Sequence, residues 1–414
     1  MRKKSFALFA ALFIVAACLF AAPLLQPGDL VAVCGDSITQ QKVYSVYIED
    51  YLLMCQPVPS VRTLQFGSNG APAHNLRERA PRDLVLFHPT VATTLYGMND
   101  GQYQPLNNER AKGFRKGMGD AVAELKKIGV RTIIVGSPSC VDWPKNPDGT
   151  KMYNTTLTSL GEISKEIAQQ NGAIFADVHA VMADAIGKAR VLNPGYNIGG
   201  DGTHPGPSGH LMIAYAFLKA MGCDGAIGTI TVDLATNTAN ATPGHKIISV
   251  NNGTVEVEST RYPFCFQVEA GVQSPTTSIL PIMPFNEDLN RYMLIVHGLK
   301  TAKAKVTWGA QSREFASEDL DKGVNLAAAF IPENPFSASF ARVDAAVKEQ
   351  QAQETSLTVD FLSAAVRLKK AIPSQSATID QIQQGGLTQS VKLARTAAAK
   401  VLPVRHAITV EPVQ

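Results

Sequence analysis

Between Leu30 and Cys223 the chain alternates short apolar runs with stretches of helical periodicity. LVAVC (30–34), VRTLQF (61–66), TVATTLY (90–96), RTIIVG (131–136) and AIFADV (173–178) read as strands. Their hydrophobicity is nearly continuous, as in strands buried on both faces. Phe114, Met118, Val122 and Leu125 recur at helical spacing until Gly129. Leu157, Leu160, Ile163 and Ile167 do the same before Asn171-Gly172. Such strand–helix repeats predict an α/β fold over residues 29–223, a mainly parallel five-stranded sheet with helices on both faces. Ligands of such sheets collect outside the carboxyl ends of the strands, so chemistry is sought just after each strand.

From Gly225 the pattern changes. GTITVDL, HKIISV, GTVEVEST, RYMLIVHGL and AKVTWG alternate apolar and polar residues between Gly, Asn and Pro punctuation. That alternation predicts antiparallel strands in a sandwich-like, β-rich accessory unit over 225–315. A mostly helical segment (316–368) and a polar tail rich in Gln, Ala and Ser (369–414) follow.

The N-terminus is of another kind. MRKK, the apolar run FALFAALFIVAACLFAA and Pro23 read as a secretory signal peptide, residues 1–22. The competing reading is an uncleaved anchor, since the run approaches the length of a membrane span. Val15-Ala16-Ala17-Cys18 resembles a bacterial lipoprotein cleavage box, in which Cys18 would be lipidated and would be the chain's link to a membrane. The expected location is therefore secreted, periplasmic or cell-surface.

Export changes the charge balance. Losing Arg2, Lys3 and Lys4 takes the 38 Lys+Arg to 35, equal to the 35 Asp+Glu. No basic stripe is visible, which argues against a nucleic-acid partner. Cys34, Cys55, Cys140, Cys223 and Cys265 are widely and irregularly spaced, with neither metal-ligand spacing nor a dense disulfide framework. Cys34, inside the first strand, reads as a small core residue.

Four strand ends carry candidate chemistry. The first strand stops at Gly35-Asp36-Ser37 before an amphipathic run, which makes Ser37 either a helix cap or a raised nucleophile. A serine there would lie beside the first free N–H groups of the helix, donors suited to a developing oxyanion. After the second strand comes Gly67-Ser68-Asn69-Gly70, where glycine lets a backbone N–H approach a bound group closely. After the third comes Gly97-Met98-Asn99-Asp100, in which Asn99 offers an amide donor or simply forms a turn. The last is DGTHPGPSGH, 201–210, before an apolar helix. There Asp201, three residues from His204, could hold the imidazole by one nitrogen and leave the other facing a serine. His210 reads as a helix-start residue.

GDSIT, the Gly-bearing turn, GMND and DGTH, in that order, resemble the blocks of the SGNH, or GDSL-type, serine hydrolases. The resemblance covers roughly residues 29–223. It implies a three-layer α/β/α sandwich, with Ser37 as nucleophile, His204 as general base and acid, and Asp201 orienting His204. It also implies an oxyanion hole of the Ser37 and Gly70 N–H groups and the Asn99 side chain, and no metal or organic cofactor. The implied reaction is a double displacement through an acyl-enzyme. Asp36 and Asp100 read as loop-bracing acceptors, and Asp177 as the second choice for orienting His204. One departure stands out: Gln65 occupies the place where the family's second block often has Asn.

The expected function is that of an exported carboxylic ester hydrolase removing small acyl groups such as acetyl from a small-molecule or polysaccharide ester. Two alternatives stand beside it. One is a lysophospholipase or lipase-like esterase, which needs an extended apolar groove at Ser37. The other is a catalytically inactive carbohydrate-binding surface protein.

Overall fold

The computed structural model describes residues 24–266 and 271–413. The signal-peptide reading, with Cys18, lies outside them. Five strands, β1 (Leu30–Gly35), β2 (Arg62–Gly67), β3 (Val91–Leu95), β4 (Thr132–Gly136) and β5 (Ile174–Ala176), form one sheet in the order β2-β1-β3-β4-β5. Every pairing in it is parallel. Successive side chains of a strand point to opposite faces, so β1 feeds two cores at once. Val31 and Val33 pack in a cluster with helices α2 (Tyr44–Asp50), α6 (Val178–Leu192) and α7 (Pro207–Ala220). Leu30, Ala32 and Cys34 pack with α3 (Ala73–Arg82), α4 (Asn108–Lys127) and much of α5 (Pro147–Gln170). That is the three-layer α/β/α sandwich. Each of these strand side chains is at most 4% exposed, and removing a buried branched one would cost roughly 2–5 kcal/mol.

The strand order places a topological switch between β1 and β3, whose following connections run to opposite sides of the sheet. The crevice at their carboxyl ends is where such folds hold ligands. The one-turn helix α1 (Ser37–Gln40) leaves β1 there, and Asn99 follows β3.

The second half departs from its sequence reading in three ways. It holds two sheets. One has the order β13-β10-β6-β7, with β6 (Ala226–Asp233), β7 (Thr238–Ala241), β10 (Arg291–His297) and β13 (Val324–Asn325). The other has the order β12-β11-β14-β9-β8, with β8 (His245–Asn251), β9 (Thr254–Ser259), β11 (Lys303–Trp308), β12 (Gln311–Ala316) and β14 (Val404–Val413). First, β6 and β10 pair in parallel rather than antiparallel, because the chain crosses through the second sheet between them. Second, the helical segment is interrupted by β13 and includes α9 (Ser317–Lys322) and α10 (Leu326–Ala329), while the short α8 (Phe285–Leu289) precedes it. Third, the stretch read as a polar tail is regular. It contains α13 (Ser376–Ala398) and β14, and β14 lies in the middle of its sheet, between β11 and β9.

A long helix, α11 (Ser337–Thr355), leads through α12 (Leu362–Ala371) into α13, and it joins the two halves. Glu49 on α2 accepts from Gln350 Nε2 (2.9 Å), Gln351 Nε2 (2.7 Å) and Thr63 Oγ1 (2.5 Å). Ser45 Oγ donates to Gln351 Oε1 at 2.7 Å. Among the described residues five cysteines are free, and all but Cys223 are buried.

Candidate active site

Gly-Asp-Ser after β1 is built around its aspartate. Asp36 is the N-cap of α1, with Oδ1 accepting from Ile38 N at 2.9 Å. Ser37 is thus relieved of capping and stands half-buried as the first helical residue. Gly35 is required because a side chain there would collide with Thr39 Oγ1 and the Leu95 carbonyl.

His204 bridges to Ser37 from a separate loop. Its Nε2 lies 2.8 Å from Ser37 Oγ, and its Nδ1 lies 2.9 Å from Asp201 Oδ2. The nitrogen facing the carboxylate carries the proton, which leaves Nε2 as the acceptor for the serine O–H. Asp201 Oδ1 also accepts from the backbone N–H groups of Thr203 (2.8 Å) and His204 (2.7 Å). Partial burial opposes the Asp201 charge, yet the His204 side chain and these two N–H groups outweigh it and hold the carboxyl below its ordinary range.

The loop carrying this pair is held from β4's side of the sheet by residues the sequence analysis passed over. Asp142 N donates to Gly202 O at 2.7 Å, and Trp143 Nε1 donates to Thr203 Oγ1 at 3.0 Å. Asp142 also accepts from Ile198 N (3.1 Å) and pairs with Arg190. Gly202 has a φ of +81° and no room for a side chain against the Asp142 carbonyl. Trp143 stacks on Tyr153, which stacks on Tyr103 at a centroid distance of 5.0 Å. Tyr103 is 40% exposed, so one ring of this aromatic stack faces solvent. The signal for these residues was slight: a Trp and an Asp in the Pro-rich segment after the fourth strand.

Gly70 and Asn99 flank the serine turn. Gly70 is exposed at φ +65°, and among the described residues its N–H meets no protein acceptor. The neighbouring N–H groups are taken: Ser68 N donates to Gly35 O, Asn69 N to Gln40 Oε1, and Ala71 N to Ser68 O. Gly67, by contrast, is the packing glycine of the block, since a side chain there would strike the backbone of Gln40. Asn99 Nδ2 lies 3.3 Å from both Asp36 Oδ2 and Ala71 O, between the serine turn and the Gly70 turn.

The remaining carboxylates brace loops. Burial pushes Asp36 up to about 7, against the Ile38 hydrogen bond, and the Asp100 charge adds to it. Asp100 accepts from Ala73 N (3.0 Å) and Gly97 N (3.1 Å), and burial pushes it up to about 6. Asp177 caps α6 through Ala180 N and accepts from Ser137 Oγ, so its carboxylate is engaged away from His204. His210 sits inside α7, fully buried, with Nε2 3.0 Å from Gln41 Oε1; burial, and then the His204 charge, push it down to about 3. A cleft of about 350 Å³ opens beside Asn99, bounded by His74, Asp100, Gln102, Arg110 and Phe114.

Residues 33–212 match the model of the GDSL-like lipase/acylhydrolase family. These residues form an SGNH, or GDSL-type, hydrolase domain. This protein is accordingly a serine esterase. The chain is 24% identical over 213 residues to an acetylxylan esterase of Geobacillus stearothermophilus, a match covering 48% of this chain and 93% of that protein. The crystal structure of that organism's acetylxylan esterase aligns over 48% of this chain and 95% of its own, with 23% identity and a TM-score of 0.40. A gut microbial diltiazem-metabolizing enzyme aligns over 94% of this chain and 98% of its own, with 21% identity and a TM-score of 0.74. The last likeness is one of fold, and it extends through the C-terminal half as well as the SGNH domain.

Proposed function

We propose that the protein is an exported carboxylic ester hydrolase that removes small acyl groups, acetyl above all, from carbohydrate esters, with Ser37, His204 and Asp201 as its triad. The observation carrying this reading is the single imidazole held at hydrogen-bond distance by a hydroxyl on one side and a carboxylate on the other. In the first half-reaction Ser37 Oγ bonds to the carbonyl carbon while its proton passes to His204 Nε2. The carbonyl oxygen becomes an oxyanion, received by the N–H groups of Ser37 and Gly70 and by the Asn99 amide. Both contacts of that amide are long for N–H···O bonds, so a charged oxygen competes for it on favourable terms. Collapse of the intermediate breaks the ester C–O bond, and His204 returns the proton to the leaving alcohol. Water then attacks the acyl-enzyme, giving its proton to His204, and the carboxylic acid leaves as Ser37 is reprotonated.

Three features support short acyl groups and a sugar alcohol. The cleft beside Asn99 is bounded largely by polar side chains, which favour hydroxyl groups over an alkyl chain. The exposed face of Tyr103 offers a flat apolar platform of the kind a sugar ring stacks on. The relative in Geobacillus stearothermophilus is an acetylxylan esterase. Export rests on residues 1–22, whose basic and apolar composition is that of a signal peptide, and Cys18 offers a lipid anchor.

The test has two steps. A fluorophosphonate should label the wild-type protein and leave Ser37→Ala unlabelled; an unlabelled wild type would favour the inactive binding protein. Acyl esters of a chromogenic phenol should then be cleaved fastest at acetyl. A steep preference for chains longer than about eight carbons, each buried methylene being worth ~0.8 kcal/mol, would make the protein a lipase-like esterase instead.

A further inference from the structure

Gln65 stands where the family's second block often has Asn, and its carboxamide connects the two halves of the molecule. It is fully buried at the centre of β2, on the face opposite Leu64 and Phe66. Its Nε2 donates to Thr39 O at 2.9 Å, inside the single turn of helix that begins with Ser37. Its Oε1 lies 3.0 Å from the hydroxyl of Thr355, the last residue of α11, which shares its one proton with Gln351 O at 2.9 Å. Its backbone N–H donates to Glu354 Oε2 at 3.1 Å. Because β2 is the edge strand of the sheet, that N–H has no neighbouring strand to pair with, and the carboxyl of α11 takes the strand's place.

The bare Gly67 leaves the space this arrangement needs, since a side chain there would meet both Gln65 Nε2 and the Gln40 backbone. Gln40 in turn accepts from Asn69 N at 2.6 Å, next to Gly70. One continuous set of hydrogen bonds thus runs from α11 through Gln65 to the serine turn and on to the Gly70 turn. The helix end is itself firmly seated. Glu354 is buried, with Oε1 accepting from Gln350 Nε2 at 3.1 Å and Ser390 Oγ at 3.3 Å.

We propose that Gln65 is a positioning residue for the nucleophile, and that α11 of the C-terminal half seats it, so that the C-terminal half helps set the geometry of the active site. The proposal rests on the reading of Ser37 as nucleophile. A short helix of one turn has little rigidity of its own, and a nucleophile displaced by about 1 Å can cost on the order of 10²-fold in rate.

The experiment measures the rate at which a fluorophosphonate labels Ser37, together with kcat and KM for a phenyl acetate. Gln65→Met keeps the volume and removes the carboxamide. It should slow labelling and lower kcat by roughly tenfold or more, with KM changed less than about twofold. Thr355→Val, at the end of a helix in the other half, should slow both by about threefold, and should add nothing when combined with Gln65→Met. Ser45→Ala removes a buried hydrogen bond to the same helix without touching Gln65, and should leave the labelling rate as it is. Wild-type labelling rates in folded Gln65→Met and Thr355→Val would overturn the proposal. So would an equal fall in Ser45→Ala, which would reduce the effect to helix docking. Should Gln65→Met not fold, a wild-type rate in Thr355→Val overturns it alone. An unlabelled wild type would remove the proposal together with the reading of Ser37, and no other outcome does that.

Discussion

Among the described residues, two serine hydroxyls lie within hydrogen-bond distance of histidine rings, one in each half. Ser37 meets His204, whose other nitrogen meets a carboxylate; that carboxyl side chain is 63% exposed and the imidazole 30%. Ser259 lies 2.9 Å from His245 Nδ1 and 3.0 Å from His406 Nε2, and all three side chains are buried. There the outer nitrogens meet neutral groups: His245 Nε2 faces Ile227 O, and His406 Nδ1 accepts from Trp308 Nε1. Tyr292 OH completes that cluster, 3.1 Å from Ser259 Oγ, between the two sheets. The same pair of residue types is therefore the proposed reactive site in one half and a satisfied core in the other. What separates them is access, a charged partner to stabilise an imidazolium, and free donors for an oxyanion.

The sharpest way to break this contrast is to remove each hydroxyl. Ser37→Ala should lower kcat by about 10⁴-fold or more and leave Tm unmoved. Ser259→Ala should leave kcat within about twofold and destabilise the fold by roughly 1–3 kcal/mol, read as a lowered Tm. Activity loss in Ser259→Ala without a change in Tm would erase the distinction. Asp201→Asn should stay folded with kcat down by about 10⁴-fold, and wild-type rates would mean that another carboxylate orients His204. Asn99→Ala should lower kcat by roughly 10²–10³-fold; unchanged turnover in a folded variant would reassign the amide to bracing Asp36.

The smallest effects lie in pH dependence, where Asp36 and His406, one in each half, act with opposite sign. Asp36, raised by burial to about 7, keeps its proton longer in the folded state than in the unfolded chain. Its contribution to stability is complete below about pH 4 and is lost as pH rises through 7. His406, pushed down to about 3 by burial and then by His245, does the reverse. Its contribution is complete above about pH 6.5 and is lost as pH falls toward 3. In a series of Tm values from pH 4 to pH 8, Asp36→Asn should flatten the neutral limb and His406→Gln the acid limb, each by ~2–4 °C. Curves parallel to the wild type would show that neither group governs its limb.

Much of the hydrolase half was legible because its information is local. Strands buried on both faces write themselves as apolar runs, and the blocks after β1, β2, β3 and at 201–204 carry residue types whose chemistry is recognisable. The C-terminal half was read less well where its pairing is remote. Residues 404–410, VRHAITV, do alternate, with His406, Ile408 and Val410 buried, yet they lie within a stretch whose Gln, Ala and Ser content reads as a tail. The contacts of Asp142, Trp143 and Gln65 leave no mark in the sequence for a related reason. Each residue acts on a loop or helix far from it in sequence, and no local period marks such a contact.

By itself the sequence determined the five buried strands, the identity of the side chains at their ends, and the family. Those follow from periodicity and residue chemistry within a few positions of one another. Only the tertiary structure decided that β14 would enter the centre of a sheet between two strands more than ninety positions away, that Asp36 rather than Ser37 would cap the first helix, and that an edge strand would be closed by a helix from the opposite half. Contacts of that range depend on the whole packed arrangement, since loop closure and burial are decided together when the chain folds.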